Sequence, residues 1–244
     1  MAFDPKFVWL IQENQEDRIT VRGIEDVLDE LKVRWIGIEI DFKTPTLPSI
    51  EGLRDGDRVL CFGPCFIPRI DHRDPAWRIG SVFDPVSFRW SQFQANWPGK
   101  MLSRDGRVSS VRALRADPPG RPVFARPDAD SKTFDGGIWS RLELDALLNR
   151  LDNDLQIVTA SPTAIDAEYR LFMVASEVAA ASEYRRNGQT SLQGFVPNEA
   201  IDLAIEADHT WRPAAAYAID VARSGERFGI VEANCITAAR HYAG

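Results

Sequence analysis

Two apolar runs near the end of the chain, AAYAIDVA (215–222) and FGIVEAN (228–234), are separated only by the polar segment RSGER (223–227). A turn centred on Gly225 makes them a β-hairpin. Side chains alternate between the faces of a strand, so Glu232 and Asn234 share one face while Val231 and Ala233 take the other. With the turn at Gly225, the even-numbered positions of both strands lie together, which brings Asp220 to the same face. Two carboxylates and a carboxamide then converge from an otherwise apolar hairpin. Such hard oxygen donors suit Mg²⁺. A solvent-facing polar edge without a metal is the other reading of the same residues.

Upstream, KFVWLIQ (6–12) reads as a buried strand, and GIEDVLDELK (23–32) places Ile24, Val27, Leu28 and Leu31 at helical spacing. VRWIGIEI (33–40) and DRVLCFG (57–63) read as two further strands, so the chain opens β-α-β with a small parallel sheet. Residues 64–120 are rich in Pro, Trp, Phe and Arg and give few periodic signals, and RADPPGRP (115–122) is loop-like. Beyond them VFARP (123–127) is a strand, DADSKTFDGG (128–137) a polar loop, IWS (138–140) a return strand and LELDALLNRL (142–151) an amphipathic helix. QIVTA (156–160), EYRLFMV (168–174) and EVAAASEYR (177–185) read as strands, and NEAIDLAIEAD (198–208) as a helix entered from Pro197. The class expected is α/β with α+β character, in two domains, residues 1–100 and 101–244. There is no internal repeat.

Cations sit at strand ends in two of these segments. Arg126 closes a strand, and Lys132 lies in the following loop with Gly136 and Gly137. Guanidinium, amine and loop backbone N–H groups make a workable phosphate cradle; a plain hairpin with solvated ends is the bland alternative. Glu168 and Arg170 stand two apart on one strand face, and Arg185 and Arg186 close the next strand. Arginines fixed in this way suit bidentate contact with carboxylate or phosphate, though ordinary surface charge explains them equally in isolation.

Other chemistries are excluded or weakened. The sequence has no G-x-x-x-x-G-K-[ST] or G-x-G-x-x-G loop, no D-F-G, no G-x-S-x-G and no H-E-x-x-H, and the H-R-D at 72–74 runs into Pro75 without the rest of the kinase H-R-D-L-x-x-x-N pattern. A net charge of −7 argues against a broad nucleic-acid surface. No stretch approaches the roughly 18 apolar residues of a membrane helix. The N-terminal segment has no signal-peptide pattern, and the expectation is a mature, soluble, cytoplasmic chain. Cys61, Cys65 and Cys235 are read as reduced thiols, since the Cys61–Cys65 spacing has no second Cys/His pair nearby to make a zinc site. His72, His209 and His241 are scattered and are read as surface or structural.

A strand-borne cation with a glycine loop, then Glu-Tyr-Arg on a strand, then Asp…Glu-x-Asn in the last hairpin: this order resembles the ATP-grasp superfamily. RPDADSKTFDGG (126–137) is similar to a clade frequent in phages and bacteria and named for two arginines and a lysine. The resemblance runs from about 122 to 242, half of the chain. It implies an ATP-grasp fold behind a small N-terminal β-α-β pre-ATP-grasp domain. It puts Arg126 in the place of the usual strand-borne lysine on the ATP phosphates, and Asp128, Ser131, Lys132, Gly136 and Gly137 in the mobile covering loop. Val158, Thr159 and Ala160 are similar to the hinge whose backbone binds adenine, Arg170 and Arg185 match positions holding the substrate carboxylate or its acyl phosphate, and Lys132 acts beside them in catalysis. Asp220, Glu232 and Asn234 match magnesium ligands. Two departures stand out: Thr159 and Ala160 replace an acidic pair common in the hinge, and the tail Cys-Ile-Thr-Ala-Ala-Arg after Asn234 lacks the usual proline and glycine. The activity implied is an ATP- and Mg²⁺-dependent ligase joining a small-molecule or peptide carboxylate to an amine through an acyl phosphate. A small-molecule kinase on the same fold, or a nucleotide-binding module without chemistry, are the alternatives.

Overall fold

The computed structural model describes residues 6–70, 77, 83–131 and 133–239. The chain divides into two compact units. One comprises Met1–Asp84 with Ala214–Ala216 and Cys235–His241; the other is built chiefly from Pro85–Pro213 and Tyr217–Asn234.

In the first unit, strands β1 (Phe7–Gln12), β2 (Trp35–Ile38) and β3 (Arg58–Phe62) form a parallel sheet in the order β2-β1-β3. The central strand is the most apolar, with Val8, Leu10 and Ile11 fully buried. Helix α1 (Arg18–Glu30) packs Val21 and Leu28 against Ile11, Val33 and Phe62. It begins six residues before Ile24, the first residue its apolar spacing marks. The reason is Asp17, whose carboxylate accepts from the Thr20 backbone N–H at 3.1 Å and from its hydroxyl at 2.7 Å, capping a first turn of polar residues.

The second unit holds two antiparallel sheets. Strands β4 (Arg107–Ser110), β5 (Val123–Pro127), β6 (Gly137–Trp139) and β7 (Gln156–Ala160) pair in the order β4-β7-β5-β6. Helices α3 (Val111–Ala116) and α4 (Arg141–Leu148) cover one face of this sheet, where Leu114, Leu144 and Leu148 meet Val123, Ala125 and Ile157. A reciprocal capping box between Ser140 and Glu143 starts α4. Strands β8 (Ala167–Val174), β9 (Glu177–Arg186), β10 (Gln189–Gln193), β11 (Ala216–Ser224) and β12 (Arg227–Cys235) form the other sheet, ordered β10-β9-β8-β11-β12. Gly225, at φ +61°, turns β11 into β12 where the hairpin was expected. Gly229 lets the segment 100–102 run against β12, where Leu102 N–H donates to the Ile230 carbonyl and Ile230 N–H to that of Lys100, both at 2.8 Å. Helix α5 (Asn198–Thr210) buries the small residues Ala200, Ala204 and Ala207.

The region without clear periodicity supplies α2 (Trp90–Asn96), β4 and α3. Their anchors are long-range: Trp97, just past α2, is fully buried and its indole N–H is shared by the carbonyls of Ala207 and Trp211. The mixed class expected from the sequence is the one found, a parallel α/β unit and a second unit of antiparallel sheets with helices.

Candidate functional site

In β5 the residues Val123, Ala125 and Pro127 are buried in the core, so Phe124 and Arg126 project from the opposite face. Arg126 Nη1 donates to Glu232 Oε2 on β12. Strand β8 is buried from Ala167 to Met173, and Glu168 and Arg170 share one of its faces. Arg170 donates from Nε and Nη2 to Oδ1 and Oδ2 of Asp220 on the neighbouring β11, at 2.8 and 2.7 Å. Glu168 accepts from the Tyr184 hydroxyl at 2.8 Å and from Arg185 Nη1 at 3.0 Å. Three arginines therefore meet three carboxylates around one cavity of about 340 Å³.

The expected hairpin trio does come together. Asn234 Nδ2 donates to Asp220 Oδ2 at 3.1 Å and to Glu232 Oε1 at 3.2 Å, so the amide sits between the carboxylates. Among the described residues no three His, Cys, Asp or Glu side chains cluster to hold a metal. A cation here would use the two carboxylates together with the Asn234 amide oxygen, turned inward in place of the nitrogen. Those donors fit Mg²⁺, which takes a few protein oxygens and keeps other positions for water and phosphate. Asp220 is almost fully buried, and its carboxyl is pushed up by that burial against the pull of Arg170. Burial, then the charges of Asp220 and Glu168, push the Tyr184 phenol far above its ordinary range.

An apolar slot of about 200 Å³ adjoins this cavity, walled by Trp90, Leu102, Ile138 and residues common to both spaces, Phe124, Ile165 and Val231. Ser161 and Thr163, in the loop after β7, also line it. Sequence reasoning passed over this loop, whose only signal is a run of small hydroxyl residues and Pro162 after a strand.

Other expected positions are placed differently. Asp128 is not on the cavity wall. It is 3% exposed, and its carboxylate accepts from the Ser91 backbone N–H at 2.8 Å and from the Ser91 hydroxyl at 3.1 Å, capping the start of α2. Val158 and Thr159 lie inside β7, paired with β4 on one side and β5 on the other, and Ala160 pairs with Phe124. Their backbone groups are thus committed to the sheet, and open backbone begins at Ser161, whose N–H donates to Asp105 Oδ2 at 3.1 Å. Ser131 is exposed and shares a hydrogen bond with the Thr133 hydroxyl at 2.7 Å. Gly136 lines the charged cavity and Gly137 the apolar slot. Lys132 lies outside the described residues, as do His72 and His241.

The fold, a unit of two antiparallel sheets with a parallel α/β unit earlier in the chain, has counterparts among solved structures. The D-alanine–D-alanine ligase of Bacillus anthracis has a TM-score of 0.62 at 13% identity, over 94% of this chain and 86% of that one. An ATP-grasp protein of Sphaerobacter thermophilus with a RimK domain gives 0.61 at 14%, over 94% and 91%. The ATP-grasp ligase PsnB, solved with a minimal precursor, Mg and ADP, gives 0.56 at 10%, over 98% and 91%. At these identities the likeness is one of fold. No curated protein sequence matches the chain. The ATP-grasp domain of family 2 in the clade named for two arginines and a lysine matches residues 101–244, more than half of the chain, and the chain belongs to that family. It is a family of ATP binders. Among the described residues no helix is long and apolar enough to cross a membrane.

Proposed function

We propose that the protein is an ATP-dependent ligase that activates a carboxylate as an acyl phosphate and transfers the acyl group to an amine. The observation that carries this reading is the charged cavity itself: Arg126, Arg170 and Arg185 facing Asp220, Glu232 and Glu168 beside an apolar slot. The slot takes the adenine, with the hinge contact made by the loop from Ser161 rather than by β7. The triphosphate then points toward Arg126. Asp220, Glu232 and Asn234 hold Mg²⁺, which when bound neutralises phosphate charge. Arg170 and Arg185 hold the acceptor carboxylate, in line for transfer of the γ-phosphoryl group, and afterwards the acyl phosphate. Positioning and charge neutralisation are what such a transfer demands. Lys132 supplies a further cation for the phosphates.

The acceptor is a small molecule or a peptide; structural neighbours include both a D-alanine–D-alanine ligase and a ligase complexed with a precursor peptide. The test is product analysis with ATP, Mg²⁺, carboxylate pools and hydroxylamine. ADP, phosphate and a hydroxamate are expected. ADP with a stable phosphorylated product and no hydroxamate means a kinase, and AMP with pyrophosphate overturns both readings.

A further inference from the structure

Strand β9 does not run evenly beside β8. Ala167 faces Arg186 and Glu168 faces Arg185, but the next pair is Tyr169 with Glu183, so Tyr184 is the extra residue of a β-bulge. A bulge breaks the alternation of faces and re-aims side chains. Arg186 turns away from the cavity, where it donates to Glu183 from Nε at 2.9 Å and also from Nη2, and Ser191 Oγ donates to the same carboxylate at 2.7 Å. Arg185 turns toward Glu168, and Tyr184 lines the cavity next to it. Two successive residues thus serve one cavity, which an unbroken strand does not allow.

The bulged tyrosine contacts three charged groups. Its hydroxyl donates to Glu168 Oε2, the carboxylate whose other oxygen receives Arg185. The guanidinium carbons of Arg170 and Arg185 lie 5.3 and 5.8 Å from the centroid of its ring. One ring is therefore in cation–π range of both arginines. Arg170 is fixed from the other side by its two bonds to Asp220. The ring lets two like charges stand close together, and its hydroxyl keeps Glu168 in place to steer the more exposed of them. Glycine, leucine or a second polar chain at this position would not supply both contacts.

We propose that Tyr184 is a positioning residue that sets the spacing of Arg170 and Arg185 as a receptor for a phosphoryl group. That the group belongs to an acyl phosphate rests on the proposed ligase reading; the geometry of the receptor does not. The experiment follows the side-chain Nε–Hε signals of the two arginines by NMR, assigned with R170K and R185K. The protein carries Mg²⁺ and ADP and is titrated with inorganic phosphate. In the wild type both signals are shifted by the aromatic ring and move together on adding phosphate. Y184L abolishes the ring shift and weakens phosphate binding by roughly tenfold, the size two lost cation–π contacts allow, while Mg·ADP affinity stays within about twofold. Y184F, which keeps the ring and loses only the bond to Glu168, keeps the ring shift and most of the phosphate affinity. Unaltered phosphate binding in Y184L overturns the proposal, as does the absence of any arginine response in the wild type. Equal loss of phosphate binding, Mg·ADP binding and thermal stability in Y184L and Y184F also overturns it, since that pattern marks a merely structural tyrosine. If ADP fails to bind, the nucleotide reading falls, yet the ring shift and the response to phosphate alone still decide this one.

Discussion

Asp128 offers a clean choice between two roles, and alanine at that position separates them. In the structure its carboxylate is buried and receives the backbone N–H and the hydroxyl of Ser91 in the first turn of α2. The residue in the N-cap position of that helix, Arg89, makes no side-chain capping bond, so nothing replaces Asp128 if it is removed. The Ser91 hydroxyl can rotate to water, but the backbone donor is left without its acceptor. Losing a charge-assisted bond to such a donor costs roughly 1.5–3 kcal/mol. Losing a negative charge at a helix N-terminus adds about 0.3–1 kcal/mol. D128A is therefore expected to destabilise the protein by about 2–4 kcal/mol in urea unfolding, and D128N, which keeps one acceptor oxygen, by about half as much. Affinity for Mg·ATP analogues by calorimetry is expected to stay within about threefold. Unchanged unfolding energy together with collapsed nucleotide affinity would falsify the capping argument and return Asp128 to the nucleotide site.

Three further outcomes are expected. E232Q lowers Mg²⁺-dependent turnover by orders of magnitude and leaves stability within about 1 kcal/mol, because little packing is lost; near-normal activity at limiting Mg²⁺ rules the residue out as a ligand. G229A destabilises by about 1–3 kcal/mol or more, since a Cβ there lies 2.7 Å from Leu102 Cα and 2.9 Å from its nitrogen; wild-type unfolding shows that segment 100–102 is not held as described. Hydrogen bonds from Ser161, side chain then backbone, hold the Asp105 carboxyl below its ordinary range. Its stabilising effect is therefore present above the usual aspartate pKa of about 4 and is lost as pH falls through the depressed value, so D105N should flatten the acid limb of the Ser161 amide-exchange profile.

The C-terminal hairpin was legible because it is local. Alternation and one turn glycine place Asp220, Glu232 and Asn234 together, and no distant contact is needed to do it. Glu168 and Arg170 follow from the same rule on β8. The rule fails on β9, where the bulge brings Tyr184 to the cavity beside Arg185 and no residue type announces it. The bond between Asp128 and Ser91 was hidden for a different reason: the two residues are 37 apart, and a cap across that distance has no spacing signature. The helices and strand between 90 and 116 were illegible because they are short and half-exposed, and take their hold from Trp97 against α5 and from strand pairing with β7. That β7 runs through Ala160 was not legible either, since a strand interior and the first peptide after it look alike in sequence.

The paired state of the cavity has a thermodynamic corollary. Under the proposed function, an incoming phosphate competes with Glu232 for Arg126 and with Asp220 for Arg170, and an incoming cation competes with the same arginines for the carboxylates. Each visitor alone breaks contacts that it replaces only in part. Together they replace both halves, so each makes room for the other. The coupling is reciprocal by necessity: whatever factor Mg²⁺ adds to nucleotide affinity, the nucleotide adds to Mg²⁺ affinity. Under that proposal the protein discriminates against free nucleotide and free cation alike, and its saturation curve in either one alone reports on the pair.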